Sequence, residues 1–255
     1  MKVGIIGIGH MGQAITDGLL NQVSPAEIIL GSHRINAAMQ SYHEKNKITV
    51  TDDYSDIMDA NPEFLIFTTP AAKTPEIMDQ FKGIDSDVTV LSVASGVSLA
   101  EIQTKFPKNP SALVVPNTPV SVNHGTLGVA MGPHVTESNN IESFLGLLGD
   151  VYTVPESEFN IFGTITGCGP AFLDVFLSAL GDAAVKNGLP RALAYEAAAS
   201  MAKGSASLLQ ESGLTPDALK DQVTTPGGST IRGVVSLEKN AFRSAIIEAV
   251  DAANN

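Results

Sequence analysis

The chain has 255 residues, 44% of them hydrophobic and 16% charged, with a net charge of −12. That is enough apolar material for a sizeable core, too little charge for disorder, and no basic field for nucleic acid or an anionic membrane. A single cysteine, Cys168, forbids an internal disulfide and suits a reducing cytosol. No apolar run approaches the roughly 18 residues of a membrane span. Met1 to Ile8 briefly resembles a signal peptide, but Gly4 and Gly7 break it and no small-residue cleavage site follows. The expectation is a soluble, cytoplasmic protein with no nucleic-acid or membrane partner.

Short β-branched runs come first, at Val3–Ile6, Ile28–Leu30, Ile48–Val50, Phe64–Phe67, Val88–Leu91 and Ala112–Val115. Between them lie apolar residues at helical spacing, such as Ile15, Leu19 and Leu20, or Ile77, Met78 and Phe81. Strands alternating with helices predict βαβ units and a doubly wound, mostly parallel sheet. Weaker strands at Leu127–Met131 and Val151–Val154 extend it. After Pro155 strand signals vanish and alanine-rich helices take over. One is expected from Pro170 to Gly188, with proline in its first turn and glycine at its end. Its polar residues Asp174, Ser178, Asp182 and Lys186 form one narrow stripe, so the rest is expected to be buried nearly all round. A second helix runs from about Pro190 to Gly213. Two domains follow, residues 1–154 and an all-helical 155–255. The helical half is small for such apolar helices, which predicts a core completed by a second copy of the chain.

Gly7-Ile8-Gly9-His10-Met11-Gly12 follows the first strand and opens a helix. The spacing is that of a dinucleotide-binding turn. The first glycine permits the turn, the second admits a pyrophosphate, and the third lets helix and strand pack closely. The helix N-terminus adds N–H donors and positive potential. An NAD site would carry Asp or Glu at the tip of the second strand to hold the ribose 2′-hydroxyl. Here the tip reads Gly31-Ser32-His33-Arg34. Ser32 can donate to a 2′-phosphate and Arg34 can pair with it, which favours NADPH, with NADH as the alternative.

Near the C-terminus Thr224-Thr225-Pro226-Gly227-Gly228-Ser229-Thr230 precedes an amphipathic segment carrying Ile231, Val234 and Val235. Pro-Gly-Gly before a helix frees backbone N–H groups to point one way, a nest for one carboxylate. The same hydroxyls and glycines also cap helices, and the segment alone does not choose between these readings.

Taken together, these blocks resemble the pyrroline-5-carboxylate reductase family. The likeness runs from Gly7–Gly12 through Ser92–Val97, Val115-Pro116-Asn117-Thr118-Pro119, Thr166–Phe172 and Ala183–Arg191 to Lys220–Gly233. The last block, Asp-x-Val-x-Thr-Pro-Gly-Gly-x-Thr from Asp221 to Thr230, is the most specific. The resemblance implies a Rossmann-type N-terminal domain and an all-α C-terminal dimerisation domain. It implies NADPH-dependent reduction of pyrroline-5-carboxylate to proline, with homodimers that assemble further into rings. It assigns the substrate carboxylate to Thr225, Gly227, Gly228 and Ser229, and the ring nitrogen to the hydroxyl of Thr230, the one catalytic candidate. Phe67, Thr68, Thr69 and Pro70, with Ala94, Ser95 and Gly96, would line the cofactor's ribose and nicotinamide. The chain departs from the usual pattern at Tyr54, Thr69 and Leu113, all in the cofactor half, and mildly at Thr225.

Two other readings compete. A hydroxyacid dehydrogenase would carry an acid/base lysine at the start of the long helix, where this chain has Leu173, which cannot shuttle a proton. A non-catalytic dinucleotide-binding regulator would need no substrate nest. The five histidines show no paired metal-ligand spacing, so no metal site is expected. Cys168 reads as a packing residue.

Overall fold

The computed structural model describes residues 1–135 and 138–254, which divide into two compact units, Met1–Gly167 and Cys168–Asn255. The first unit begins β1 (Val3–Ile6), α1 (His10–Leu20), β2 (Ile28–Gly31), α2 (Ala37–Asn46), β3 (Thr49–Thr51), α3 (Tyr54–Ala60) and β4 (Phe64–Phe67). It continues with α4 (Thr74–Met78), β5 (Thr89–Ser92), α5 (Leu99–Lys105), β6 (Ser111–Val115) and β7 (Gly125–Met131). It ends with α6 (Ser138–Gly146), β8 (Gly149–Thr153) and α7 (Phe159–Gly163). Each strand expected from sequence forms, with ends shifted by a residue or two.

Among the described residues the strands make one eight-stranded sheet in the order β3-β2-β1-β4-β5-β6-β7-β8. All neighbours are parallel except β6 and β7, which run antiparallel. The near-continuous apolar strands are explained by burial on both faces. Successive side chains alternate between faces, as a pleated strand requires. Ile5, Leu30, Ile66, Leu91 and Val114 meet Ile15 and Leu19 of α1 and Phe144 of α6. Ile6, Leu65, Phe67, Val90 and Leu113 meet Ile57, Met78, Phe81 and Ile102 on the opposite face.

The sheet unit extends past the last strand. Phe162 of α7 fills the space that a side chain at Gly128 would need, and the Asn117 amide donates to the Thr166 carbonyl at 3.1 Å. These contacts carry its boundary to Gly167, beyond residue 154. The continuous helical stretch Glu156–Lys186 is also long and apolar enough, by length and composition, to cross a membrane. This corrects the sequence expectation that no such span exists. Interspersed Gly, Thr and Ser hide it from a search for unbroken apolar runs while the average stays high. Its first part is committed to the sheet.

The second unit holds α8 (Gly169–Lys186), α9 (Arg191–Ser212), α10 (Pro216–Gln222), α11 (Ser229–Lys239) and α12 (Phe242–Ala253). α8 and α9 pack where Gly181 receives the ring of Tyr195. Arg191 binds the Asp182 carboxylate at 2.5 Å and the Tyr195 hydroxyl at 3.0 Å. Sequence predicts α8 buried nearly all round, and in the single chain it is not. Leu173 is 47% and Val175 72% exposed, with Ile247 of α12 at 61%. Apolar composition states that a surface must be covered and is silent on which molecule covers it. Sedimentation at micromolar concentration is therefore expected to show no monomer. A clean, fully active monomer would overturn this.

Candidate active site: a dinucleotide edge and a Pro-Gly-Gly turn

In the sheet unit the sequence-selected residues come together at the carboxyl ends of four adjacent strands, β2, β1, β4 and β5. The strand order reverses direction between β1 and β4, where open α/β sheets form their ligand crevice. Gly7 sits at φ +100°, which excludes a side chain, and its N–H donates to the Gly31 carbonyl at 2.8 Å. Thr68 knots the edge together. Its N–H donates to the Ile6 carbonyl at 2.9 Å, and its hydroxyl lies 2.6 Å from the Gly7 carbonyl. A Cβ on Gly12 would press into that carbonyl and come within 2.6 Å of the Thr68 hydroxyl.

Gly9 differs from both. A Cβ there would meet nothing within 4 Å. Gly9 is also the N-cap of α1 and makes no side-chain cap, and no acidic residue stands in the first turn. The first N–H groups of a helix have no carbonyl one turn back to receive them. A bare, glycine-fronted helix end with open space before it fits the pyrophosphate of a dinucleotide. His10 is exposed, while Ile8 and Met11 pack their side chains against the core and offer only main chain.

At the β2 tip the Ser32 N–H donates to the Thr51 carbonyl at 3.0 Å, and the Ser32 hydroxyl to the Arg34 carbonyl at 3.2 Å. Arg34 is exposed. Asp53, beyond the end of β3, is engaged as the N-cap of α3, accepting from the Ser55 N–H and hydroxyl, which hold its carboxyl below the usual range. α2 is anchored to α1 by the Tyr42 hydroxyl donating to the Asp17 carboxylate. Burial first, and that carboxylate second, push the Tyr42 hydroxyl well above the ordinary tyrosine range. Ala94 is buried, and Ser95 and Gly96, the latter at φ +86°, are exposed at the β5 end. Pro70 is exposed as well.

One selected residue at the end of β4 turns its side chain into the core. Phe67 is fully buried, its ring 5.5 Å from Phe81 and 6.0 Å from Phe106, so its side chain supports the edge from below. The alternation that sends Ile66 to the other face required this.

The helical unit carries the second constellation. Thr225-Pro226-Gly227-Gly228 closes a β-turn, with the Gly228 N–H donating to the Thr225 carbonyl at 2.9 Å and Gly227 at φ +71°. Proline then glycine at the centre suits a type II turn. Arg232, on the first turns of α11, donates to the Gly227 carbonyl at 2.6 Å. The Gly227–Gly228 peptide is thus held at both ends. Sequence reading passed over Arg232, although a long cation soon after a Gly-Gly helix start can reach back. α11 has Gly228 as N-cap and no side-chain cap. None of the neighbouring hydroxyls caps this helix. Ser229 and Thr230 are exposed.

Comparison with known proteins joins these observations. Residues 156–255 match the sequence model for pyrroline-5-carboxylate reductase dimerisation. Residues 2–96 match the model described as NADP oxidoreductase, coenzyme F420-dependent. The pyrroline-5-carboxylate reductase of Synechocystis is 35% identical over 99% of this chain and 96% of its own length. That of Escherichia coli is 31% identical over 98% of this chain and 94% of its own. The chain belongs to the pyrroline-5-carboxylate reductase family. Among solved structures, Plasmodium falciparum pyrroline carboxylate reductase with NADP bound superposes with a TM-score of 0.84 at 25% identity. That match covers 100% of this chain and 95% of the other. The enzyme of Coxiella burnetii gives the same TM-score at 27% identity, over 100% of this chain and 96% of its own. The two-part fold and the oligomerising helical half follow from this membership.

The departures from the family pattern now have a physical reading. Tyr54 is buried beneath the β2 tip, its ring 5.2 Å from Phe81, and Leu113 lies in the core. Thr69 is buried too, its hydroxyl 2.8 Å from that of Thr74 and its methyl against Gly7. Tyr54 lies against Gly31 and Thr69 against Gly7, so these two shape the floor of the edge.

The contrast between Gly9 and Gly12 is testable. Gly9→Ala should leave the thermal midpoint unchanged while weakening NADP binding, since its methyl meets only the space for ligand. Gly12→Ala should destabilise the fold by about 1–3 kcal/mol through overpacking, measured by urea titration.

Proposed function

We propose that the protein reduces L-1-pyrroline-5-carboxylate to L-proline in the cytoplasm, at the cofactor edge and Pro-Gly-Gly turn described above. The observation that carries this reading is the Thr225–Thr230 turn, locked at both ends ahead of an uncapped helix. A dinucleotide-binding regulator has no use for a carboxylate nest, and Leu173 offers no acid for hydroxyacid chemistry. The reading includes a homodimer built by the helical half and a ring of such dimers. It also retains residues 1–154 and 155–255 as the functional division of cofactor and substrate roles.

Bound NADPH supplies the hydride. The first-turn N–H groups of α1, after Gly7–Gly12, would receive the pyrophosphate. Ser32 and Arg34 would bind the 2′-phosphate. Thr68, Thr69, Pro70, Ala94, Ser95 and Gly96 would flank the ribose and nicotinamide. In the helical unit, N–H groups at Gly227, Ser229 and Thr230 would hold the substrate carboxylate, with Thr225 and Ser229 adding hydroxyls. An imine nitrogen is basic enough to enter protonated, so no strong acid is required of the protein. Its task is proximity and orientation. The Thr230 hydroxyl accepts the N–H of the ring iminium and steers the developing amine, with proton relay a secondary role.

Steady-state NADPH oxidation with pyrroline-5-carboxylate tests the assignment, and no turnover by the wild-type protein would end it. Thr230→Ala should lower kcat more than it raises KM, since carboxylate binding through main chain survives. One oriented hydrogen bond in a dry site is worth roughly 3 kcal/mol, about a hundredfold in rate. Gly228→Val should raise KM heavily, because its Cβ would stand 2.5 Å from the Thr225 hydroxyl and fill the nest. Thr224→Ala, whose hydroxyl only caps the Asp221 carbonyl, is the control and should change little.

Arg34→Ala addresses the cofactor. It should raise the KM for NADPH and leave that for NADH nearly unchanged, since only the 2′-phosphate loses a partner. Equal weakening of both would remove Arg34 from that role.

A further inference from the structure

Arg34, assigned above to the 2′-phosphate, stands on a stretch with no packing of its own. His33, Arg34, Ile35 and Asn36 are all exposed. The stretch bridges β2 and α2, so its two ends decide where it lies. The β2 end is fixed by the sheet, and the Ser32 N–H holds the Thr51 carbonyl at 3.0 Å. The other end is Asn36, the N-cap of α2, whose side chain accepts the Met39 N–H at 3.0 Å.

α2 itself has little to seat it. Among its described side chains Met39 alone is buried, and most of the rest are exposed. His43 and Asn46 bond to Ile48 and Tyr42, within or just after the helix. Tyr42 supplies the tie to the body of the sheet unit. Its ring packs against the cluster that holds Ile15 and Leu19 of α1, and its hydroxyl donates to the Asp17 carboxylate, also on α1. Both partners are half-buried. Burial first and Asp17 second keep the hydroxyl protonated well above the ordinary tyrosine range, so it stays a donor at any working pH. A hydrogen bond to an ionised acceptor is about twice as strong as a neutral one. Asp17 lies about two turns below the glycine-fronted start of α1, and Tyr42 about one and a half turns into α2. The bond thus joins the helix that would receive the pyrophosphate to the helix that carries the Arg34 stretch.

We propose that Tyr42, through its bond to Asp17, is a positioning residue for coenzyme selection: it sets the distance from the start of α1 to Arg34 and so matches the edge to a dinucleotide bearing a 2′-phosphate. The inference rests on the assignment of Ser32 and Arg34 to that phosphate. Without the bond α2 is free to drift from α1 and takes Arg34 with it. Gly7 and Thr68 keep their places, since their bonds go to Gly31, Ile6 and the turn itself. A dinucleotide without the 2′-phosphate therefore loses nothing.

Affinities for NADPH and NADH, read separately from the fluorescence of the bound nicotinamide, test this without turnover, so the result stands apart from the reductase reading. Tyr42→Phe keeps the ring and removes the donor. It should weaken NADPH by about threefold to thirtyfold, the range for a contact that acts from outside the site. NADH should stay within about twofold of wild type. Asp17→Ala removes the acceptor at a helix position that alanine suits and should give the same selective loss, with the double variant no worse than either single. Added to Arg34→Ala, Tyr42→Phe should cost NADPH nothing more, because the bond acts through Arg34. Equal weakening of both coenzymes, or a lower thermal midpoint with unchanged selectivity, overturns the proposal. If Tyr42→Phe yields no soluble protein, Asp17→Ala decides, and insolubility of both overturns it. An Arg34→Ala variant with no selective loss removes the 2′-phosphate assignment and this inference with it. A selective loss there, with none from Tyr42→Phe or Asp17→Ala, defeats this inference alone.

Discussion

Helix ends without side-chain caps set the terms for the rest of this structure. The chain carries a net charge of −12, and both the dinucleotide and the carboxylate it is proposed to hold are anions. The protein's overall field opposes them, so attraction has to come from nearby main-chain N–H groups and helix dipoles. Most other helices with a polar residue at the cap use it on themselves. Asn36 caps α2, Asp53 caps α3, Ser98 caps α5 and Thr215 caps α10. α1 and α11 begin instead at Gly9 and Gly228, with nothing but backbone at the N-cap. Their first donors are left for a ligand.

That arrangement demands close backbone approach, and the fold supplies it in two ways. At the dinucleotide edge Thr68 ties β4 to the β1 turn through the Ile6 and Gly7 carbonyls. Gly7 and Gly12 leave no room for side chains between them. At the second turn, Arg232 and the Thr225 carbonyl hold one peptide from both ends. In each case a hydrogen bond from outside the turn fixes a conformation that glycine alone would leave loose, since glycine is the residue with most backbone freedom to lose.

Much of this was legible before the structure. Strands buried on both faces write themselves as unbroken apolar runs, which is why β1 and β4 were found to the residue while β3 and β5 moved by one. The Gly7–Gly12 spacing placed its own helix. Other features depend on contacts that sequence spacing does not encode. Asn117 meets Thr166 across 49 positions, and only the whole fold brings them together. Arg232 reaches Gly227 across five, a distance within one helix start that a more local reading could have found. Phe67 belongs to the same motif as Thr68 and Thr69, and strand alternation assigns its ring to the core. The span-like character of Glu156–Lys186 was hidden by scattered small polar residues.

The outward apolar face of the helical unit has a thermodynamic consequence. A chain that leaves Val175 and Ile247 largely exposed has not finished folding on its own terms. Part of the free energy that holds α8 and α12 in place belongs to association, so it scales with the logarithm of concentration. The melting temperature of this protein is then a function of how much of it is in the tube. Dilution acts as a denaturant, and two preparations of identical chain at different strengths have different stabilities.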